Sequence, residues 1–146
     1  MSTQTLQMLL DLAADKRESA ARILGIERNA LAAEKNKLDM LTSYRQQYED
    51  ATNGKAQQGT SVTQMRNAAE FLQRLGHAIE QQRTQIRVVE GRISMTVQEL
   101  SAAQAEVRKY ETLIARKKEE ALRAELRREQ KLNDEMAARL VRHAQE

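Results

Sequence analysis

An apolar residue recurs every seven positions over the stretch 65–121, and this repeat constrains the fold more than any other feature. The line comprises Met65, Leu72, Ile79, Ile86, Ile93, Leu100, Val107, Ile114 and Ala121. A second, more mixed line runs three residues further on, through Ala68, Leu75, Gln82, Val89, Thr96, Ala103, Tyr110 and Lys117. Because only a supercoiled helix keeps a strict seven-residue repeat on one face, the stretch predicts a long helix that pairs with another helix.

A weaker pair of lines occupies the first third of the chain, over about residues 5–51. One line comprises Leu10, Arg17, Leu24, Leu31, Leu38 and Arg45, and the other Leu6, Ala13, Ala20, Glu27, Glu34, Leu41 and Tyr48. Arg17, Glu27 and Glu34 weaken this seam without ending it, because long charged side chains can lie along a seam with their heads in water. This segment therefore predicts the partner helix.

The segment ATNGKAQQGTSV, residues 51–62, separates the two patterns. Asn53-Gly54 predicts the end of the first helix, and Gly59 adds a flexible point. Ser61 predicts the cap of the second helix, with the Gln64 side chain reaching back to it. We therefore predict an all-α protein, with helices over about 5–51 and 61–143 and a loop over 52–60. They form one antiparallel coiled-coil domain over residues 1–146.

A turn centred near residues 56–57 makes the numbers of facing residues total about 113. The predicted pairs then include Leu24 with Val89, Ala13 with Leu100 and Leu6 with Val107. A slip by one heptad satisfies the same apolar lines, so the position of the loop decides the register. In this register residues 108–146 overhang as a helical tail, and their apolar pattern changes phase at Leu122.

Composition narrows the function classes. The 146 residues include no Cys, no Pro and no Trp, which excludes disulfides and thiolate metal sites and permits long helices. The start of the chain lacks a signal-peptide pattern and no apolar run could span a membrane. The lack of Cys suits the cytoplasm. His77 and His143 stand apart from other catalytic or metal-binding side chains, and there is no glycine-rich phosphate loop. We predict neither catalysis nor a cofactor.

Aromatic and apolar residues gather at one edge of the predicted helix pair, near the loop. Flanking positions of an antiparallel pair lie beside the same kind of position on the other helix, which makes Tyr44 a neighbour of Phe71. The edge comprises Tyr44, Tyr48, Phe71, Leu75 and Ala78, and includes three of the four aromatic residues of the chain. Two interpretations stay open. The rings form a docking surface, or they cap the end of the seam.

The residues of both predicted helices resemble the FliJ proteins of bacterial flagella. The likeness lies in LxxLLDLAxxK, AARILG and AAEKNKLDMLTSYRQQY within residues 6–48, and in Asn67, Phe71, Leu75 and the run 78–81. It covers roughly residues 6–82 and the two-helix layout. The family implies a cytoplasmic stalk similar to the coiled coil of the rotary ATP synthase gamma subunit, held in the hexameric export ATPase. It also implies a link to the transmembrane export gate, escort of export chaperones, and membrane association only through partners at the inner membrane.

The resemblance also implies which residues contact those partners. The family's gate-docking surface carries over to Leu41, Tyr44, Tyr48, Phe71, Leu75 and Ala78. Lys37 and Gln82 stand at its margin, where the family pattern has Gln and His, so the polar part of that site departs from the family. By analogy with the gamma subunit, the tail is expected to contact the ATPase through Arg116, Lys117, Lys118, Arg127 and Arg128.

Three other functions compete with a flagellar stalk. One is a stalk protein of an injectisome-type secretion system, which differs mainly in its partner. Another is a structural coiled coil that dimerises through the tail or the second helix. The last is a nucleic-acid-binding helix pair, which the sequence disfavours because acidic residues are interleaved with the basic ones at a net charge of only +3.

Overall fold

Two α-helices account for nearly all of the protein in the computed structural model, which describes residues 1–145. Helix α1 runs over Thr3–Gln57 and helix α2 over Val62–Gln145, with no strand in that range. Strong helix formers and the absence of Pro allow both to continue without a break. The predicted all-α fold of two long helices is confirmed, while Glu146, the last residue of the predicted domain, lies outside the described residues.

The first helix does not end at Asn53-Gly54, so the predicted loop over 52–60 is wrong. Helix α1 continues to Gln57, and the chain turns at Gly59, whose φ of 84° is in the left-handed region that favours glycine. A glycine inside a helix costs only about 1 kcal/mol relative to Ala, which is too little by itself to end a long helix. The turn therefore lies several residues later in the chain than predicted.

The start of α2 is capped partly as predicted. The backbone N–H of Gln64 donates to Ser61 Oγ at 3.1 Å, which confirms Ser61 as the capping residue. The Gln64 side chain does not reach back to Ser61 but accepts a hydrogen bond from the hydroxyl of Thr60. The last loop residues and the first turn of α2 are thus held together by two side-chain contacts.

The chain divides into two compact units, of which the first comprises Ser19–Leu100 and contains the turn. Its buried side chains lie on the predicted heptad lines of both helices: Ala20, Leu24, Ala68, Leu75, Ile79, Ile86, Val89 and Thr96. Ile79 is completely buried. The helices of this unit therefore pair along the seam that the seven-residue repeat predicts.

Of two hydrogen bonds between the helices, the one from Thr96 to Glu27 shows that the predicted register is wrong by one heptad, while the one from Gln82 to Glu34 fits both registers. Gln82 donates to Glu34, and Thr96 donates to Glu27 at 2.9 Å. In the predicted register Glu27 faces Ile86, about 15 Å along α2 from Thr96, which a glutamate side chain cannot span. If the numbers of facing residues total about 120 instead, each donor on α2 lies within about one helical turn of the position that its glutamate faces. Leu24 then faces Thr96 instead of Val89, as the later turn requires.

The second unit combines Met1–Glu18 with the chain from Ser101 onward. Leu6 and Ala13 are buried on α1, and Ala103, Val107 and Ile114 are buried on α2. The corrected register sets Leu6 opposite Ile114, which explains why burial on α2 extends one heptad beyond Val107. The overhanging tail consequently begins after the half-buried Lys117 and not at residue 108.

Neither helix of the described chain combines the length and apolarity that crossing a membrane requires.

Candidate functional site

Three aromatic rings meet in the Ser19–Leu100 unit, close to the turn. Phe71 packs against Tyr48 with ring centroids 4.6 Å apart, and against Tyr44 edge-to-face at 6.1 Å. The predicted neighbourhood of Tyr44 and Phe71 is therefore confirmed. Edge-to-face and tilted contacts of this kind stabilise ring clusters beyond the burial of apolar area alone.

The six apolar residues of the predicted docking surface differ in how much of each reaches solvent. Tyr44 is 50% exposed, whereas Leu75 is 8% exposed and belongs to the seam. The others are half-buried: Leu41, Tyr48, Phe71 and Ala78. Tyr44, Tyr48 and Phe71 are called the aromatic edge below, since they are the rings that a partner could touch.

Shallow depressions flank the aromatic edge on two sides. One lies beside Tyr44 on α1 and is lined by Met40, Leu41 and Gln47. The other lies at the turn, has a volume of about 480 Å³, and is lined by Tyr48, Lys55, Gln64, Met65 and Asn67 among others. Such concave surface beside exposed rings is typical of a site that accepts side chains of another protein.

Lys37 and Gln82 are connected through Glu34, which the site prediction did not include. The Gln82 amide donates to the main-chain oxygen of Glu34 at 2.9 Å and to its carboxylate at 2.5 Å. Lys37 Nζ lies 3.4 Å from the same carboxylate. The hydrogen bond from Gln82 is the main cause that lowers the pKa of Glu34 below its ordinary value; Lys37 lowers it further, and partial burial opposes the shift.

Glu27 and Thr96 form a second polar contact that sequence reasoning missed. Thr96 is buried, and its hydroxyl lies 2.9 Å from both carboxylate oxygens of Glu27 and 3.0 Å from the Arg92 carbonyl. Both residues stand on the heptad lines, but only the correct register shows that they meet. The sequence predicted that the seam glutamates extend into water. Instead, Glu27 and Glu34 both form hydrogen bonds across the helix pair.

Three of the five cations assigned to ATPase contact lie in the tail and two lie just before it, and the structure does not gather them into one patch. Lys117 is half-buried at the end of the seam, and Arg116, Lys118, Arg127 and Arg128 are exposed. Arg127 and Arg128 lie about two to three helical turns beyond Lys118. Every residue in 118–145 is exposed, so the tail has no partner within the described chain that covers it.

The described residues contain no group of three or more His, Asp or Glu side chains placed to hold a metal ion. What the geometry offers is a helix pair with an aromatic edge at one end of α1 and a long uncovered helix at the end of α2. This defines the class: an antiparallel coiled coil of two long helices with exposed aromatic and apolar surface.

Comparison with known proteins places the chain within that class. The family model described as "Flagellar FliJ protein" matches residues 1–146, so the chain belongs to the FliJ family of flagellar protein export. The Flagellar FliJ proteins of Salmonella typhi and of Escherichia coli K12 are each 31% identical to it over 134 residues, covering 92% of this chain and 91% of theirs.

A solved structure has the same fold. It belongs to a protein from Chlamydia trachomatis described as a homologue of YscO. The two structures superpose with a TM-score of 0.72 at 18% identity, over 99% of this chain and 94% of the other. At this identity the likeness concerns the fold alone.

Proposed function

We propose that this chain is a cytoplasmic stalk and adaptor of the flagellar type III export apparatus. In this role it stimulates the hexameric export ATPase, couples it to the transmembrane export gate and escorts export chaperones. It is not itself an enzyme, and it reaches the inner membrane only through these partners. Membership of the FliJ family supports the export role, and the aromatic edge is the observation that carries the contact with the gate.

The aromatic edge suits gate docking because its rings are rigid, clustered and only partly covered. Tyr44 offers half of its surface, while Phe71 holds it through an edge-to-face contact. Aromatic side chains that are pre-positioned in this way commonly dominate interface energy, because little side-chain entropy is lost on binding. Leu41 and Ala78 extend the surface along the helices, and Lys37 and Gln82 border it with polar groups tied to Glu34.

The remaining partners are assigned to other surfaces. Ile23, Ile26 and Met40 form an exposed apolar stripe on α1 that suits the export chaperones. The ATPase contact is assigned to the tail and the residues just before it, because the tail is the longest part of the described chain left uncovered; the assigned cations are Arg116, Lys117, Lys118, Arg127 and Arg128. Met40 also lines the depression beside Tyr44, so the proposed chaperone surface adjoins the proposed gate surface, whereas the assigned cations belong to a different part of the chain.

Replacing Tyr44 by Ala should weaken binding to the cytoplasmic domain of the export gate at least about tenfold. A central aromatic anchor contributes roughly 2 kcal/mol or more, and about 1.4 kcal/mol corresponds to one decade in Kd. Isothermal titration calorimetry gives the Kd, and circular dichroism gives the melting temperature of the same variant. Phe71→Ala should weaken binding similarly but also lower the melting temperature, because it removes both ring contacts.

Two control variants separate docking from folding. Met95→Ala removes an exposed apolar side chain from the same unit and should leave both gate affinity and melting temperature unchanged. Ile79→Ala removes a fully buried seam side chain and should cost roughly 2–5 kcal/mol of stability. If Tyr44→Ala binds the gate as tightly as Met95→Ala does, the aromatic edge is not the docking surface.

A further inference from the structure

The tail, defined as residues 118–145, carries an apolar stripe that nothing in the described chain covers. Its large members are Leu122, Leu126, Met136 and Leu140, each at least 55% exposed. Their spacing of four and three residues continues through Glu129 and Asn133, giving the positions 122, 126, 129, 133, 136 and 140. These positions form a coiled-coil seam of their own, with two polar residues in its centre.

The stripe has the same pattern of residue types from either end. Leu122 and Leu140 are equally distant from residue 131, as are Leu126 and Met136, and the polar residues Glu129 and Asn133. In an antiparallel coiled coil each line of one helix faces the other line of its partner. Two tails that cross at residue 131 therefore pair apolar with apolar at both ends and polar with polar in the middle.

This match singles out one antiparallel register. A shift of one heptad in one direction places Glu129 against Leu126, and a shift in the other places it against Leu140. Either shift puts a charged group against an apolar layer and leaves large apolar residues without an apolar partner. The central pair Glu129–Asn133 thus has the register-setting role that polar seam residues have in other coiled coils.

The residues beside the stripe agree with the same register. Glu125, Leu132 and Arg139 lie on one flank at seven-residue spacing. In the antiparallel arrangement Glu125 meets Arg139 of the second copy, twice by symmetry, and Leu132 meets Leu132 of the second copy at the two-fold axis. A parallel arrangement instead sets Glu129 against Glu129 of the second copy and Lys118 near Arg123, which places like charges together.

We infer that a second copy of this chain covers the stripe, and that free chains pair through antiparallel tails centred on residue 131. The self-complementary order of apolar, polar and charged residues carries this inference, which does not depend on the proposed function. Arg127 and Arg128 lie on the far side of the tail from the stripe, so they stay exposed in the pair. An export-apparatus contact through these two arginines and pairing of the tails are therefore compatible.

Sedimentation equilibrium of the full chain tests the pairing. We expect a reversible monomer–dimer equilibrium between micromolar and near-millimolar concentration, and a monomer for Leu126→Lys and Met136→Lys. Both side chains are exposed in the single chain, so these variants should keep its melting temperature. A wild-type chain that stays monomeric up to near-millimolar concentration overturns the inference, as does a dimer that both lysine variants leave intact.

A charge exchange tests the register. Glu125→Arg alone and Arg139→Glu alone should each weaken the dimer about fivefold to tenfold, because each turns two attractions into two repulsions at exposed sites. The double variant should restore the wild-type Kd to within about twofold, because exposed ion pairs of either polarity are of similar strength. Failure of the double variant to restore pairing overturns the register.

Disulfide trapping tests the orientation, since the chain has no native cysteine. Mixed Leu122→Cys and Leu140→Cys chains should cross-link to each other under mild oxidation, whereas either variant alone should not. Cross-linking of each variant to itself would indicate parallel tails and overturn the inference. The rate of ATP hydrolysis by the export ATPase, measured with the Leu126→Lys chain, tests the proposed function separately, because this variant keeps all five cations assigned to the ATPase.

Discussion

At the residue scale, Glu34 connects the helix pairing to the polar margin of the aromatic edge. Its carboxylate accepts from Gln82 on α2 and lies beside Lys37 on α1. Both contacts favour the charged form, and the pKa of Glu34 is held below its ordinary value. The stabilisation from this group is therefore present above the ordinary carboxylate range, about pH 4–5, and is lost as the pH falls through the lowered pKa.

Gln82→Met should raise the pKa of Glu34 towards its ordinary value, because it removes the hydrogen bond that contributes most to the shift. Lys37→Met should raise the same pKa by less, since Lys37 contributes less and is largely exposed. Carbon-detected NMR titration of the Glu34 carboxyl measures both. An unchanged pKa in the Gln82 variant, or a larger rise in the Lys37 variant, would contradict this assignment of the cause.

At the scale of the helices, register is the property on which the predicted cross-helix pairs depend. Spin labels at the exposed positions 28 and 92 should be closer than labels at 28 and 85. Positions 85 and 92 occupy the same place in the heptad, so the comparison differs only by about 10 Å along α2. Double electron–electron resonance gives both distances within one chain.

The opposite order of those two distances would restore the register in which facing numbers total about 113. Diluting labelled chains with unlabelled ones provides the control, because distances within a chain persist on dilution. Distances between paired copies disappear under the same treatment.

At the scale of the whole molecule, the tail differs from the paired helices because none of its side chains is buried. Every residue beyond Lys117 in the described chain is exposed, whereas buried side chains recur along the seam as far as Ile114. Truncation after Lys117 should therefore shift the melting temperature of the remaining chain by no more than about 2 °C, because no core side chain is lost. It should abolish stimulation of the export ATPase, because three of the five assigned cations are removed.

Circular dichroism and an ATP hydrolysis assay on the truncated chain measure these two effects. Undiminished stimulation would move the ATPase contact away from the tail. The variant Arg127→Ala with Arg128→Ala is the matched control within the full chain. It should lower stimulation without changing the melting temperature, since both side chains are exposed.

The sequence alone determined the two helices, their antiparallel pairing, the Ser61 cap and the neighbourhood of Tyr44 and Phe71. Each of these depends on a local or periodic signal: a heptad line, a capping residue, or a flanking position in a known phase. The family resemblance in residues 6–82 likewise predicted the family that the comparisons confirm.

Only the tertiary structure decided the register, the start of the tail and the polar contacts of Glu27 and Glu34. Gly54 and Gly59 are both plausible turn residues from sequence, and two registers one heptad apart satisfy the same apolar lines. The choice depends on the sum of contacts along the whole seam, such as Leu6 with Ile114 and Glu27 with Thr96. A short-range signal contains none of these contacts, because the hydrogen bonds of Glu34 and Glu27 across the helix pair join residues that are 48 and 69 positions apart in the chain.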